Sequence, residues 1–430
     1  MSNTLNLKHN SFLVYGLGST GHSVIKYFKK NNVNDFFVWD DNINIRKKFK
    51  KKNPKNIKKL FDKIDYIVLS PGINIKKLKF KKELKKNKRK IITDLDLLYS
   101  SDLKFKSVVI TGTNGKSTTC KIIKHLLEKN KFNVAMCGNI GTPVLNVKIK
   151  KNQFYIIEAS SFQLFHSQFV HPDIAILLNI TNDHIDWHGS KSNYIKSKFK
   201  IFKLQNKKDY ALVKENLKKI YYKNKYNGKL ISLYRSQYDI IQTEINNRYL
   251  LSGSNRENMV FVYTLAKILK IKKNSFINSM NSFSGLPHRY EIFLKKKNVT
   301  FINDSKATSF EATKFALMKD KNIFWIVGGL PKLKDKINIF DFRKNIVKSY
   351  IIGKNVFFFK KQLKNLVKIS VVKNLENAIK CISKDSKSYK DLNKTILLSP
   401  SAASFDQFKN FESRGNEFKR LCRLYARKII

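Results

Sequence analysis

The stretch Val108–Cys120, VVITGTNGKSTTC, restricts what this chain can fold into more than any other. An apolar run rich in β-branched residues stops at a glycine, passes through small polar residues to Gly-Lys-Ser and enters a helical pattern, KIIKHLLEK. A strand that leads through a glycine loop straight into a helix belongs to an α/β domain with parallel strands. The same geometry has a chemical consequence. Loop amides and a helix N-terminus surround a phosphate with N–H donors, Lys116 adds a mobile positive charge and Ser117 a hydroxyl for magnesium. The predicted ligand is a nucleoside triphosphate, held by Gly112, Thr113, Asn114, Gly115, Lys116, Ser117 and Thr118. Standard phosphate-loop spacing would put the first glycine at Ile110, so the loop reads as a shortened form. The competing reading is a Gly-Asn turn that happens to carry a lysine.

Strands and helices alternate on both sides of this loop, which predicts parallel sheets in three units: residues 1–97, 98–286 and 287–430. In the first, SFLVYGLGSTGHSVIKYF is a strand, Gly16-x-Gly18-x-x-Gly21 and a helix, with Asp40 and Asp41 at the next strand end. That is a dinucleotide fingerprint, so a nicotinamide-dependent dehydrogenase is a live reading at this point. The strand DYIVLS then stops at Ser70-Pro71-Gly72, at the carboxyl end where open α/β sheets bind ligands. In the second unit FYIIEAS places Glu158 and Ser160 at a strand end, where a carboxylate near a phosphate loop completes a magnesium site or is simply a strand-end acid. Asn179, Asp183, His184 and Asp186 follow another strand and suit a second metal or catalytic centre; Asn and Asp are also ordinary turn residues. YIKSKFKIF, Tyr194 to Phe202, reads as a helix whose lysines look like surface. In the third unit Gly285 and Pro287 mark a hinge, and Asp304-Ser305-Lys306-Ala307-Thr308 ends a strand.

Composition enters through charge. With 86 Lys and Arg against 31 Asp and Glu the net charge is +55, which invites a nucleic-acid reading. The lysines are spread through every segment, together with many Ile and Asn, as a compositional bias would leave them, and no specific nucleic-acid motif accompanies them. Cys120, Cys137, Cys381 and Cys422 are scattered, with neither zinc spacing nor a disulfide framework. No stretch approaches the roughly 18 apolar residues of a membrane helix. A monomeric cytoplasmic protein without membrane partners is expected.

Taken in order, the motifs GLGSTG, LSPGI, TGTNGKST, GNIG, EASSFQL, NITNDHIDWH, GLPHRYE, NDSKAT and LLSPSAASFDQFKNFESRGNEF resemble the Mur ligases of peptidoglycan synthesis over nearly the whole chain. The last motif is similar to that of the D-glutamate-adding members. The resemblance implies three domains: a Rossmann-like UDP-binding domain, a central ATPase-type domain with a parallel sheet and a Rossmann-like carboxyl-terminal domain. It implies an ATP-dependent amide ligase that joins D-glutamate to UDP-N-acetylmuramoyl-L-alanine through an acyl phosphate and a tetrahedral intermediate; another amino acid is the nearest alternative. It implies two magnesium ions, with Ser117, Glu158, His184 and a carbamylated Lys198 as ligands, where Lys196 and Lys200 flank Lys198 and only register selects it. It assigns Ser19, Thr20, Asp40, Ser70, Pro71, Gly72, Asn139, Ser160 and His184 to the UDP substrate. Asn255, Asn258, Arg289 and Asp304 go to ATP, and Lys306, Thr308, Lys332, Ser404 and Phe411 to D-glutamate. Two departures stand out: no histidine precedes Asn255, and no basic residue stands at Asp41-Asn42. Sites on three units imply that the third swings onto the second.

Overall fold

The computed structural model describes residues 5–100, 105–139, 141–148, 150–181, 183–247, 249–251, 253–332, 335–389 and 392–429. Two compact units divide the chain, Met1–Phe283 and Ser284–Ile430. The first contains two sheets. Its amino-terminal sheet has four parallel strands with Phe12–Tyr15 between Phe36–Trp39 and Tyr66–Leu69, and Ile91–Ile92 at the edge. Its second sheet has six parallel strands, and Lys106–Thr111 runs centrally between Phe154–Glu158 and Ile174–Leu177, pairing Val108 with Ile156 and Ile174. A strand enclosed on both sides and both faces must be apolar throughout, which is what the run Val108-Val109-Ile110 supplies. The second unit carries one six-stranded sheet, parallel except for Glu291–Lys296, which pairs antiparallel with Val299–Asn303. The expected α/β class with parallel sheets is thus observed.

Glycine allows two close approaches in the amino-terminal turn. A Cβ on Gly21 would lie 2.0 Å from the Gly16 carbonyl oxygen, so the helix Ser19–Lys30 sits directly on the strand end. Gly16 has φ +95° and a Cβ there would meet Ile73 and Ser70.

Polar groups buried between the first two sheets are matched to one another. Thr93 and Asp96 form a capping box, Asp96 also accepts the amides of Gln168 and Phe169, and the Thr93 hydroxyl lies 2.8 Å from that of Ser167. Asp94 is buried too, and its Oδ1 accepts a 3.3 Å bond from Gln163 Nε2. Burial above all, with a smaller repulsion from Asp96, pushes its carboxyl up to about 6, against the Gln163 bond. An acid whose folded pKa lies above its unfolded value, 3.8, binds more protons when folded. Its contribution is therefore present below that value and lost as pH rises through about 6. Asp94→Asn keeps the shape and removes the charge, so it is expected to be more stable than the parent at neutral pH, by up to about 3 kcal/mol, and to lose that advantage in acid. Thermal melts on both sides of the window check this; an Asn variant that melts lower at neutral pH contradicts it.

Candidate active site

The phosphate loop is braced by the segments around it. The helix Lys116–Lys129 starts from Gly115, whose φ of +84° is left-handed. A Cβ there would stand 2.5 Å from Asn258 Oδ1, so only glycine fits beside the buried Asn258. Thr113 N–H donates to the Asn179 carbonyl, and the Asn179 side chain accepts from Asn114 N–H at 2.9 Å and returns a bond to the Asn114 carbonyl. Asn179, read from sequence as part of a possible metal cluster, is a brace for this loop. Thr113 Oγ1 lies 2.9 Å from the Tyr194 hydroxyl. Ser117 and Thr118 are buried in the first turn of the helix.

Two lysine amines converge on a single carbonyl oxygen. Lys116 Nζ donates to Gly112 O at 2.8 Å, and Lys198 Nζ reaches the same atom at 2.7 Å. Lys198 is 1% exposed, whereas Lys196 is exposed and Lys200 bonds the Phe165 and Ser167 carbonyls. The surface reading of this helix therefore fails at Lys198. The helix runs Lys191–Phe199, and its register turns Tyr194 and Lys198 inward together, with the amine 4.8 Å from the centre of the Tyr194 ring. Burial, and then the charge of Lys116, push the Lys198 amine down to about 6. A neutral amine at physiological pH is the physical result.

Glu158 ends the strand beside the loop strand. It is buried, its Oε1 accepts Asn139 Nδ2 at 3.1 Å, and its Oε2 has no hydrogen-bond partner among the described residues. A buried carboxylate oxygen left bare is costly unless a cation completes it. Among the described residues no three His, Cys, Asp or Glu side chains gather to hold a metal. Magnesium binds through one or two protein oxygens and completes its shell with water and substrate phosphates. The hydroxyl of Ser117 and the bare oxygen of Glu158 are donors of that kind. His184 has left-handed backbone, φ 50°, packs tilted against Phe162 and lies 3.4 Å from Asp183; its ring is half-exposed and makes no bond to Glu158 or Lys198. His188, which the sequence reading passed over, is the buried one of this pair, with Nε2 3.0 Å from Ser161 Oγ. Ser160 caps the helix Ser161–His166 in a capping box with Gln163.

At the amino-terminal turn Asp40 accepts the amides of Leu17 and Asn42, and Ser70 Oγ donates to the Gly16 carbonyl. Ser19 and Thr20 open the helix, and Pro71 and Gly72 follow Ser70 at the same edge. Four residues beyond Asn42 the Arg46 guanidinium lies 3.9 Å from the Trp39 ring centre and donates to the Asp40 carbonyl. Asn255, without the preceding histidine, donates to the Tyr249 carbonyl at 2.9 Å.

In the second unit Lys306 Nζ sits 3.7 Å from the centre of the Phe411 ring. Ser404 is buried, Thr308 half-buried and Lys332 exposed, its carbonyl accepting Asp335 N–H. Asp304 accepts Tyr290 N–H and the Ser399 hydroxyl; burial pushes its carboxyl up to about 7, opposed by these bonds and by the Arg289 charge.

Residues 110–274 match the Mur ligase middle domain, and residues 10–92 match the Mur ligase MurD-like N-terminal domain. The chain is 35% identical to the UDP-N-acetylmuramoylalanine–D-glutamate ligase of Rickettsia felis, over 97% of each chain. Among solved structures it is similar to the UDP-N-acetylmuramate-alanine ligase MurC of Thermotoga maritima, with a TM-score of 0.56, 16% identity and coverage of 97% of this chain and 100% of that one. It is also similar to the MurF ligase of Thermotoga maritima in complex with ADP, with a TM-score of 0.53, 17% identity and coverage of 99% and 97%. At these identities the two structures speak for the fold.

Proposed function

This chain belongs to the Mur ligase family, and from that premise we propose that it joins D-glutamate to UDP-N-acetylmuramoyl-L-alanine with cleavage of ATP, a step of peptidoglycan synthesis. The observation that carries the reading is the convergence of Lys116 and the buried Lys198 on the Gly112 carbonyl of the phosphate loop. Nucleotide binding alone does not require a second, desolvated amine beside Lys116.

An oxygen of the alanyl carboxylate attacks the γ-phosphorus of ATP, the bond to the bridging oxygen breaks, and ADP and an acyl phosphate result. The neutral amine of D-glutamate then adds to the carbonyl carbon, and the tetrahedral intermediate expels phosphate as the nitrogen loses its proton. Each stage gathers negative charge. Lys116, the loop amides and the N-terminus of its helix oppose that charge at the phosphates, in a site braced beforehand by Asn179, Tyr194 and Asn258. Magnesium, when bound, neutralises phosphate charge; Ser117 and Glu158 would hold one ion, and His184 with carbamylated Lys198 the other. Asn139, tied to Glu158, and Ser160 would meet the acceptor near its reacting end.

We assign residues 1–97 to the UDP moiety, through Ser19, Thr20, Asp40 and Ser70-Pro71-Gly72, and residues 98–286 to ATP, with Asn255 and Asn258 and, from the last domain, Arg289 and Asp304. Residues 287–430 would take D-glutamate through Lys306, Thr308, Lys332, Ser404 and Phe411, since lysines facing carboxylates have a plain electrostatic reason. A cytoplasmic monomer completes the reading; among the described residues no helix is long and apolar enough to cross a membrane. The test is phosphate release from ATP and UDP-N-acetylmuramoyl-L-alanine with each of several amino acids. Release with D-glutamate alone is expected; release with L-lysine or meso-diaminopimelate and not D-glutamate overturns the assignment.

A further inference from the structure

Arg414 is a buried cation. Its side chain is among the largest fully buried ones, at 1% exposure, and it forms no ion pair among the described residues. Asp406 attracts it only at longer range, and that carboxylate is already bonded to the Lys354 amide. Burial lowers the guanidinium to about 10, so it stays charged at neutral pH. Confining such a charge costs several kcal/mol unless its donors are met and an anion comes near.

The donors meet the backbone at particular places. Nε donates to Ser305 Oγ at 3.0 Å, and one terminal nitrogen donates to the Ser305 and Ala402 carbonyls at 2.8 and 3.0 Å. The other faces Gly329, where a Cβ would lie 3.3 Å away. Ser305 in turn donates to the Phe411 carbonyl at 2.9 Å. Ser305 immediately precedes Lys306, Ala402 stands two before Ser404, Gly329 three before Lys332, and Phe411 opens the helix that carries Arg414. Every segment assigned to the acidic amine therefore runs past this one guanidinium.

We propose that Arg414 is a positioning residue for the acidic amine substrate: it bonds the Ser305 and Ala402 segments and packs against that of Gly329, the three loops that carry the amine-binding side chains, and adds a buried positive charge beneath them. The proposal rests on reading the second unit as the amine site. A planar fork suits the task because it serves several fixed acceptors at once, which a flexible ammonium does not.

The test is steady-state phosphate release by the full-length protein with D-glutamate and ATP titrated in turn. Arg414→Lys keeps the charge and loses the fork; the KM for D-glutamate is expected to rise about tenfold or more, with the KM for ATP unchanged. Ser305→Ala, which removes the hydroxyl between Arg414 and Phe411, is expected to move the same constant in the same direction, and it decides alone if the lysine variant does not fold. An unchanged D-glutamate KM in the folded variants, or a parallel rise in the ATP KM, overturns the positioning role. If the parent releases no phosphate with D-glutamate, the assigned activity falls and not this role, and the amine that does release phosphate takes D-glutamate's place in the same titration.

Discussion

Lys198→Ala is expected to release phosphate at about a hundredth to a thousandth of the parent rate, and added acetate or propionate is expected to restore part of it. The reason lies in the protonation state of the amine. Burial beside Lys116 pushes it down to about 6, so near neutral pH the nitrogen carries a lone pair. A neutral amine adds to the carbon of carbon dioxide and gives up one proton, leaving a carbamate, a carboxylate-like anion on the end of the lysine stem. The alternative is that Lys198 is only a brace for the Gly112 carbonyl. A brace predicts a different pattern: the alanine variant loses stability, a small carboxylate does nothing, and Lys198→Met, which fills the same space, stays active. The carbamate predicts the reverse. Lys198→Met should be inactive and yet melt no lower than the parent, because a methionine needs no desolvated amine. Phosphate release with and without carboxylate, alongside melting curves for both variants, separates the two.

The contrast between Lys198 and Lys116 also shows what the sequence made legible. Lys116 follows a glycine loop at a strand end, a pattern with its own physical meaning, and the structure puts it there. Lys198 is one of 86 basic residues, in a stretch where Lys196, Lys198 and Lys200 alternate with other residues, and periodicity alone made all of them surface. Only family register selected it, because a buried lysine contradicts the ordinary rule for lysine. Asn179 was visible but misread: an asparagine after a strand suits a turn, a ligand or a brace equally, and the partner that decides, Asn114, lies 65 residues away. Arg414 did leave a signal. It shares a helical stripe with Phe418, Leu421 and Cys422, all buried, so the spacing of four and seven marks it as inward-facing. The alternation of strands and helices was plain throughout, because buried parallel strands are continuous apolar runs that end at glycine, serine or aspartate.

Glu158→Gln should separate charge from shape at the other end of the proposed metal centre. The amide keeps an oxygen for Asn139 Nδ2, which now bonds Oε1 at 3.1 Å, and occupies the same volume. What it removes is the negative charge at Oε2, an atom that is buried and has no partner among the described residues. Two readings then diverge. If Glu158 only anchors Asn139 at the strand end, the glutamine variant keeps its activity, since the anchor survives. If Oε2 is a magnesium ligand, phosphate release should fall about 10²–10³-fold, and the magnesium concentration for half-maximal rate should rise about tenfold or more. Stability gives the independent check. An unpaired buried carboxylate is costlier than an amide, so the variant without nucleotide should melt at or above the parent temperature. The further rise that magnesium and ATP together give the parent should shrink in the variant. A fully active glutamine variant with an unchanged magnesium requirement would remove Glu158 from the metal centre and leave it a strand-end brace, with its bare oxygen unexplained.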